Sequence, residues 1–185
     1  MKKFFTLLLL TYLVFSLQGC LTVETKEYRF KINKDRSGEG SIAYINIMTD
    51  KDTAGSVETD YQTLIDSYLN GDALKDDLPN VKITSKRLYE EDNQLCGEVK
   101  FQFGDITKMK FYKYKETGPW CYHLTSLNMI GSESYFSSNG TYGGENMPVI
   151  FWEGTVKEFK FKTTVTQPGK TTKSLLEIWQ QKGGK

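Results

Sequence analysis

Residues 28–48 read YRFKINKDRSGEGSIAYINIM. Tyr28, Phe30 and Ile32 alternate with charged or polar residues, which is the period-2 pattern of a half-buried strand. Turn-forming residues follow over 34–40, and the next alternating run carries apolar side chains on both of its faces. A strand that is apolar on both faces is typical of the interior of a sheet. The stretch therefore predicts a β-hairpin whose second strand lies inside a sheet rather than at its edge.

An amphipathic helix is predicted over residues 59–70. Thr59 and Gln62 have the spacing of a capping box, in which each side chain satisfies a free backbone N–H of the first turn. Apolar residues then recur on one helical face, which favours packing against the sheet. These residues are Tyr61, Leu64, Ile65, Tyr68 and Leu69.

The remaining alternation indicates an α+β fold. Alternating runs over 81–103 and 109–124 predict a meander of consecutive antiparallel strands, and 129–147 is rich in Gly, Ser and Asn and reads as a long loop. A capping box at Ser174 predicts a short C-terminal helix. We expect a single α+β domain over residues 28–181, with a meander-rich antiparallel sheet of about six to eight strands. Residues 182–185 are predicted to form a flexible tail.

The first twenty residues have the layout of an export signal. Lys2 and Lys3 precede an apolar run that ends in Leu17-Gln18-Gly19-Cys20. This ending resembles the lipobox of bacterial lipoproteins. The resemblance implies that residues 1–19 are cleaved, that Cys20 carries diacylglycerol and an acyl chain such as palmitate, and that residues 20–27 form a tether.

Two alternatives to the lipobox are an ordinary secretory signal and an uncleaved membrane helix. The apolar run is about 14 residues long, whereas a helix needs about 20 residues to cross a bilayer. More than one acyl chain gives stable anchoring, so the lipid would hold the protein at the cell envelope. Leu21 stands where lipoproteins retained at the inner membrane often carry Asp, which favours the outer membrane in a cell that has two.

The turn after the first strand carries a second resemblance. Lys34-Asp35-Arg36-Ser37-Gly38-Glu39-Gly40 follows soon after the lipobox cysteine, as in small bacterial envelope lipoproteins. The arrangement is also similar to the opening of mycobacterial LppM-type envelope lipoproteins, whose α+β domain is linked to lipid binding. The resemblance implies a non-catalytic envelope protein and transfers no site residue.

The charge balance gives no reason to expect a nucleic-acid partner. The chain has 24 Lys and Arg residues against 23 Asp and Glu residues, and losing Lys2 and Lys3 with the signal leaves a net charge of −1. No cofactor or metal motif is present: His123 is the only histidine, and the cysteines lack zinc-type spacing. The acidic runs at 72–77 and 90–92 lie in predicted turns, which favours solvated charges over a hydrolase site.

Two cysteines remain after Cys20. Cys96 and Cys121 would close a loop of about 25 residues if they paired, which is worth roughly 3 kcal/mol in the chain-entropy model. Cysteines of exported proteins often pair, but the geometry that decides this cannot be read from sequence. A disulfide and two free buried thiols both remain open.

Aromatic residues make up 14% of the chain and concentrate between residues 111 and 152. They are suited to filling a core, to stacking on sugars or to burying lipid. If the domain has a ligand site, we expect it where these aromatic side chains meet. The candidates are Tyr114, Trp120, Tyr122, Tyr135, Phe136, Tyr142 and Trp152.

Taken together, the sequence predicts a lipid-anchored, non-enzymatic envelope protein. The leading hypothesis is that an aromatic-rich sheet surface or cavity binds an apolar or glycan ligand. The alternative is a structural or assembly factor that docks onto another envelope protein. The third hypothesis is a hydrolase with an unrecognised carboxylate site. No motif names the ligand or the partner.

Overall fold

A computed structural model of the protein describes residues 21–50, 54–124 and 133–184. Within these ranges the chain is mostly antiparallel β-sheet with few helices, as the α+β prediction requires. The strands are β1 (Leu21–Ile32), β2 (Gly38–Thr49), β3 (Val81–Glu91), β4 (Gln94–Phe103), β5 (Phe111–Lys113), β6 (Trp120–His123), β7 (Ser134–Ser138), β8 (Thr141–Tyr142), β9 (Val149–Trp152), β10 (Glu158–Thr164) and β11 (Lys173–Ser174). The helices are α1 (Ala54–Thr63), a π-helical continuation (Leu64–Leu69), α2 (Ala73–Asp77), a 3-10 turn (Ile106–Met109) and α3 (Leu176–Gln181).

The larger sheet has the order β3-β4-β2-β1-β10-β7, and β11 adds to one end of β2. The predicted hairpin is confirmed: β1 pairs with β2 along its length, and β2 lies between β1 and β4. Its turn is closed by Asp35, whose carboxylate accepts hydrogen bonds from the backbone and hydroxyl of Ser37. Asp92 and Asn93 both have positive φ, the conformation of the tight turns that join strands such as β3 and β4.

A second sheet of order β5-β6-β9-β8 corrects the predicted meander. The hairpins β3–β4 and β5–β6 exist, but β5 does not continue the first sheet. The 3-10 turn buries Ile106 and is followed by Lys110 in the left-handed conformation, so the chain turns away after β4. The aromatic side chains of the second sheet then pack on the first, with Phe111 and Phe159 ring centroids 4.9 Å apart.

The helices cover a separate part of the larger sheet. Tyr61 and Leu64 of the predicted stripe are buried with Ile47, Leu95 and Trp179 in one apolar cluster. The helix begins at Ala54, five residues before the predicted start, because Thr59 is not a cap: its carbonyl accepts an intrahelical bond from the Thr63 hydroxyl. The stripe is confirmed in part, because Ile65 and Tyr68 are only partly buried and Leu69 joins neither apolar cluster. The predicted boundaries are wrong, and the last turns are π-helical.

Both ends of the domain make backbone hydrogen bonds that the sequence did not predict. The proposed tether is wrong from Leu21 onward, because Leu21 already pairs with Thr49 and residues 21–27 belong to β1. The C-terminal helix is confirmed, and the Ser174 hydroxyl accepts from the backbone N–H of Leu176. In the predicted tail, the N–H of Gly184 donates to the carbonyl of Trp179 at 3.0 Å; the flexibility of the tail stays a prediction. The signal at 1–19 and Cys20 lie outside the described residues.

Asn46 divides the inner face of the larger sheet into two regions. Its φ of 56° places it in the left-handed region, in the middle of β2. Ile42, which precedes Asn46, packs against the second sheet, and Ile47, which follows it, packs against the helices. Both side chains lie on the inner face although their positions differ by an odd number, so the alternation shifts by one residue at Asn46. The Asn46 amide donates to the Glu24 carboxylate at 2.8 Å, which joins the irregularity to β1.

Candidate functional site

Three of the predicted ligand-binding aromatics belong to the core. Trp120, Tyr122 and Trp152 are only 3–4% exposed and lie between the two sheets. The Trp152 ring meets Phe159 edge-on at 5.1 Å between centroids. Their assignment as ligand contacts is therefore corrected: strands of the second sheet need an apolar face to pack on the first, and these side chains supply it.

The other predicted aromatics do not converge either. Tyr135 of β7 and Tyr142 of β8 stack on each other at 3.9 Å between centroids and so link the two sheets. Tyr114 and Phe136 are 58% and 61% exposed. Tyr114 follows β5 at the edge of the second sheet, whereas Phe136 lies in β7 at the edge of the first. The predicted aromatic site is not formed.

The two cysteines are free thiols in this structure. Cys96 is buried in β4 of the larger sheet, and Cys121 is partly exposed in β6 of the smaller one. Burial raises the pKa of both thiols. Of the two alternatives, the structure has the free thiols, although Cys121 is only partly buried.

Glu133 is the centre of a buried polar network that the sequence did not reveal. Its carboxylate accepts hydrogen bonds from Lys26 at 2.7 Å, from the Tyr28 hydroxyl at 2.9 Å and from the Thr163 hydroxyl at 2.7 Å. Burial raises the pKa of Tyr28 well above its ordinary value, and the charge of Glu133 adds to the effect. Lys26 and Tyr28 belong to β1 and Thr163 belongs to β10. The network therefore joins these two strands to Glu133, the residue that precedes β7.

The acidic runs lie on the surface. Asp72 pairs with Lys75 at 2.8 Å, and this contact lowers the pKa of the Asp72 carboxyl. Glu90, Glu91 and Asp92 are all exposed. Among the described residues, no group of three or more His, Cys, Asp or Glu side chains stands close enough to hold a metal ion. No helix of the described ranges combines the length and apolarity needed to cross a membrane.

A groove of about 390 Å³ crosses the face of the larger sheet that points away from both apolar clusters. We call it the outer groove. Ala43 and Ile45 of β2 and Cys96 of β4 form its floor, and Tyr89 of β3 and Phe136 of β7 stand at its two sides. It also includes the residues Glu24, Thr25, Glu27, Glu91, Asp92, Gln94 and Lys162. Strands that are distant in sequence therefore contribute one continuous surface.

The outer groove is acidic. Four carboxylates line it against one ammonium group, and that group, on Lys162, lies 2.9 Å from the carboxylate of Glu27. The negative charge affects two groups of the groove, the Cys96 thiol at its floor and the Tyr89 hydroxyl at one side. Burial raises the pKa of Cys96 and of Tyr89, and the charge of Glu91 raises both further.

Thr25 carries a buried hydroxyl beside the outer groove. The residue is only 8% exposed, and its hydroxyl has no hydrogen-bond partner among the described residues. Buried hydroxyls in folded proteins nearly always have a partner, and leaving one without costs about 1–3 kcal/mol. The oxygen atom itself has less than 1 Å² of accessible surface, so the groove does not offer it to a ligand.

A second groove of about 830 Å³ lies at the opposite end of the sheet and is wide open. Its charges are paired within the chain, as in Arg29 with Glu158 at 2.5 Å and Lys31 with Glu39 at 3.6 Å. The described residues place no unpartnered buried polar atom in it. The outer groove is smaller, at about 390 Å³, and has Tyr89 and Phe136 at its sides, so it is the better candidate for a binding site.

Comparison of the chain with protein-family models, with curated proteins and with solved structures finds no match.

Proposed function

We propose that the protein is a lipid-anchored, non-enzymatic protein of the bacterial cell envelope that binds a small ligand in the outer groove. The observation that carries the binding role is the outer groove itself, which at about 390 Å³ is of ligand size and has two aromatic sides. The sequence supports the envelope location through the lipobox ending at Cys20.

The position of β1 supports a close link between anchor and groove. β1 begins at Leu21, so a lipid on Cys20 would be attached directly to a central strand of the larger sheet. Thr25 is five residues beyond Cys20, which is about 17 Å of extended chain. The outer groove would then lie close to the membrane surface.

The ligand predicted from the sequence has to be reconsidered. An apolar or glycan ligand was expected at aromatic side chains that now form the core or lie far apart. Only Phe136 of those seven lines the outer groove, together with Tyr89, which was not among them. The proposed site is thus a polar groove with two aromatic sides rather than an aromatic cavity.

The anchoring part is tested by Cys20→Ser, expressed in a bacterium that processes lipoproteins. We expect the variant to leave the membrane fraction while keeping the far-UV circular dichroism spectrum of the parent protein. Cys121→Ser is the matched control and should stay on the membrane. Membrane retention of Cys20→Ser, equal to that of the control, would contradict the lipid anchor.

The binding part is tested by native mass spectrometry of the protein purified from its own cells. Ala43→Phe would fill the outer groove, whereas Ser41→Phe adds the same side chain two residues away on the same face of β2 and outside the groove. We expect a bound small molecule in the parent and in Ser41→Phe, and its loss in Ala43→Phe. A parent protein that carries no adduct, or an adduct that survives in Ala43→Phe, would reject the groove as the site.

A further inference from the structure

We infer that a row of basic and hydroxyl side chains on the larger sheet binds a linear acidic polysaccharide. This row, which we call the basic row, crosses five adjacent strands on the face that points away from both apolar clusters. Its members are Lys160 of β10, Arg29 of β1, Ser41 of β2, Lys100 of β4 and Ser85 of β3. None of them lines the outer groove, so the inference goes beyond the proposed function.

The pairing register of the strands places these five residues in one line. Lys160 is opposite Arg29, and Arg29 is opposite Ser41. Ser41 is opposite Lys100, which is in turn opposite Ser85. In β1, β2, β4 and β10 the residues on either side of each member are buried, so the members themselves point outward. Five strands at a spacing of about 4.8 Å give a row about 19 Å long.

The basic row differs from the rows on either side of it because it contains no carboxylate. In the row on one side, Lys31 stands between Glu158 and Glu39. In the row on the other side, Glu27 is opposite Lys162. Cross-strand pairs of opposite charge stabilise a sheet, so the flanking rows have the ordinary arrangement of an exposed face. The basic row instead carries a single sign of charge from β10 to β4, which attracts a polymer of the opposite sign.

Two members of the basic row have like charges at directly opposite positions. Arg29 and Lys160 are cross-strand neighbours, and both side chains are about half exposed. Like charges in this position destabilise a sheet. Glu158 reduces the repulsion by contacting both, at 2.5 Å from Arg29 and 3.0 Å from Lys160, and these contacts lower the pKa of its carboxyl. One carboxylate thus serves two cations, which leaves positive charge in excess.

Lys100 shares its carboxylate in the same way. Its Nζ lies 3.6 Å from Glu98, and the same carboxylate is 2.7 Å from Arg87. Exposed ion pairs contribute at most about 1 kcal/mol, so an incoming anion can replace these carboxylates at little cost. Ser41 and Ser85 add hydroxyl groups to the row, and a hydroxyl can donate a hydrogen bond to an anionic or sugar oxygen.

The linear arrangement of the charges favours an extended polymer over a flat membrane surface. A bilayer on this face of the sheet would meet the carboxylates of the flanking rows and of the outer groove as well as the cations. A chain that follows the basic row would meet only cations and hydroxyls. Acidic polysaccharides carry anionic groups along an extended chain, and the Arg29 guanidinium is suited to paired hydrogen bonds with such groups. Arg29 also lines the wide second groove, which leaves space beside the row.

The probes are dextran sulfate and polygalacturonate, titrated into the lipidated mature protein in non-ionic detergent micelles by isothermal titration calorimetry. We expect saturable binding of at least one of them, which becomes weaker as salt is added because the cations are exposed to solvent. Unmodified dextran, which has the same backbone as dextran sulfate and no charge, is the control and should not bind. No saturable binding of either acidic polymer, or equal binding of dextran, would overturn the inference.

Variants locate the site. We expect Arg29→Gln and Lys100→Gln each to weaken polysaccharide binding by roughly three- to tenfold. Lys75→Gln is the matched control, because it removes the same charge from an exposed lysine of α2 that pairs with Asp72, and it should leave the affinity unchanged. Thermal unfolding of each variant checks that it is folded. Equal affinities in the three folded variants would show that the polymer does not bind at the basic row and would overturn the inference.

A second arm tests the class of partner. Vesicles of phosphatidylglycerol and phosphatidylcholine are mixed with the Cys20→Ser protein, so that insertion of the lipid anchor does not contribute. Binding to these vesicles that is tighter than binding to the polysaccharides, and that is lost when Arg29→Gln is added, would overturn the assignment to a polysaccharide. The inference fails alone if no acidic polymer binds while the native adduct is still lost in Ala43→Phe. The proposed binding role fails alone if the polymers bind as expected but the protein carries no adduct.

Discussion

Lys26 and Glu133 form a partly buried ion pair, with Nζ and Oε1 2.7 Å apart; the Glu133 side chain is only 4% exposed and that of Lys26 is 26% exposed. The residues are 107 positions apart in sequence. Tyr28 and Thr163 donate to the same carboxylate, so one side chain satisfies donors from both β1 and β10.

Replacing Glu133 with Ala should therefore destabilise the fold strongly. The change leaves the Lys26 ammonium and two buried hydroxyls without their acceptor, and breaking a buried ion pair typically costs about 3–5 kcal/mol. Glu133→Gln should cost less, because the amide oxygen still accepts hydrogen bonds. Urea unfolding followed by circular dichroism measures both changes.

The matched control for this network is Glu39→Ala. Glu39 pairs with Lys31 on the surface at 3.6 Å, and both side chains are more than half exposed. Exposed pairs contribute little to stability, so the unfolding midpoint should not move measurably. A loss at Glu133 no greater than that at Glu39 would contradict the structural role of the network.

Buried tyrosines should make the protein lose stability above about pH 10. Burial raises the pKa of Tyr28, Tyr44 and Tyr122, and the charge of Glu133 raises all three further. In the unfolded chain these hydroxyls ionise near pH 10, whereas the folded protein keeps their protons. Folding is then increasingly disfavoured as pH rises above the unfolded value, and the three groups have no such effect below it.

Two measurements check the alkaline behaviour. The urea midpoint should fall between about pH 9.5 and 11, and the ultraviolet absorbance of tyrosinate should show a group of tyrosines that ionise only when the protein unfolds. In Tyr122→Phe the midpoint should depend less steeply on pH. Ionisation of every tyrosine near pH 10 in the folded protein would refute the prediction.

Gly40 should not tolerate even a methyl group. A Cβ built there would lie 2.6 Å from the ring of Phe101, which is 1% exposed and held on all sides by the core. Gly40→Ala should destabilise the protein by about 1–3 kcal/mol, because the ring has to move. Gly104→Ala is the control, since a Cβ there meets nothing within 4 Å. Similar thermal midpoints for the two variants would contradict the packing described for β2 and β4.

The cysteines should remain reduced in protein purified without reductant. Cys121 is partly exposed and should react slowly with a thiol reagent in the folded state, whereas Cys96 should react only after unfolding. Burial, which raises the pKa of both thiols, lowers the thiolate fraction that reacts. A denatured, unreduced sample that lacks two reactive thiols would indicate a disulfide instead.

Local patterns in the sequence predicted local structure well. The alternation from Tyr28 to Ile32 and the turn at 34–40 identify the β1–β2 hairpin, and the apolar stripe around Leu64 identifies the helical face that packs on the sheet. The ends of the elements were predicted less well. Nothing in residues 21–27 distinguishes a tether from a strand until the pairing of Leu21 with Thr49 is known.

The arrangement of the strands in the two sheets could not be predicted from the sequence, for a physical reason. Alternation shows which side chains share a face, but it does not show which sheet a strand joins, so Trp120 and Trp152 could not be assigned to the core in advance. The outer groove combines residues of six strands whose order in the sheet differs from their order in the chain. Glu133 offered no signal either, because its network depends on partners more than 100 residues away or on another strand.

The pairing of β1 with β10 has a consequence for how the chain folds during synthesis. β1 is the first strand of the described ranges, yet its second neighbour begins only at Glu158. Until that segment emerges, one long edge of β1 has no partner, and an open edge with apolar side chains is a template for aggregation. Nascent chains of this protein would thus need protection from a chaperone until the last strands are made. A product cut anywhere before Glu158 loses a neighbour of a central strand, and should aggregate rather than persist as a trimmed domain.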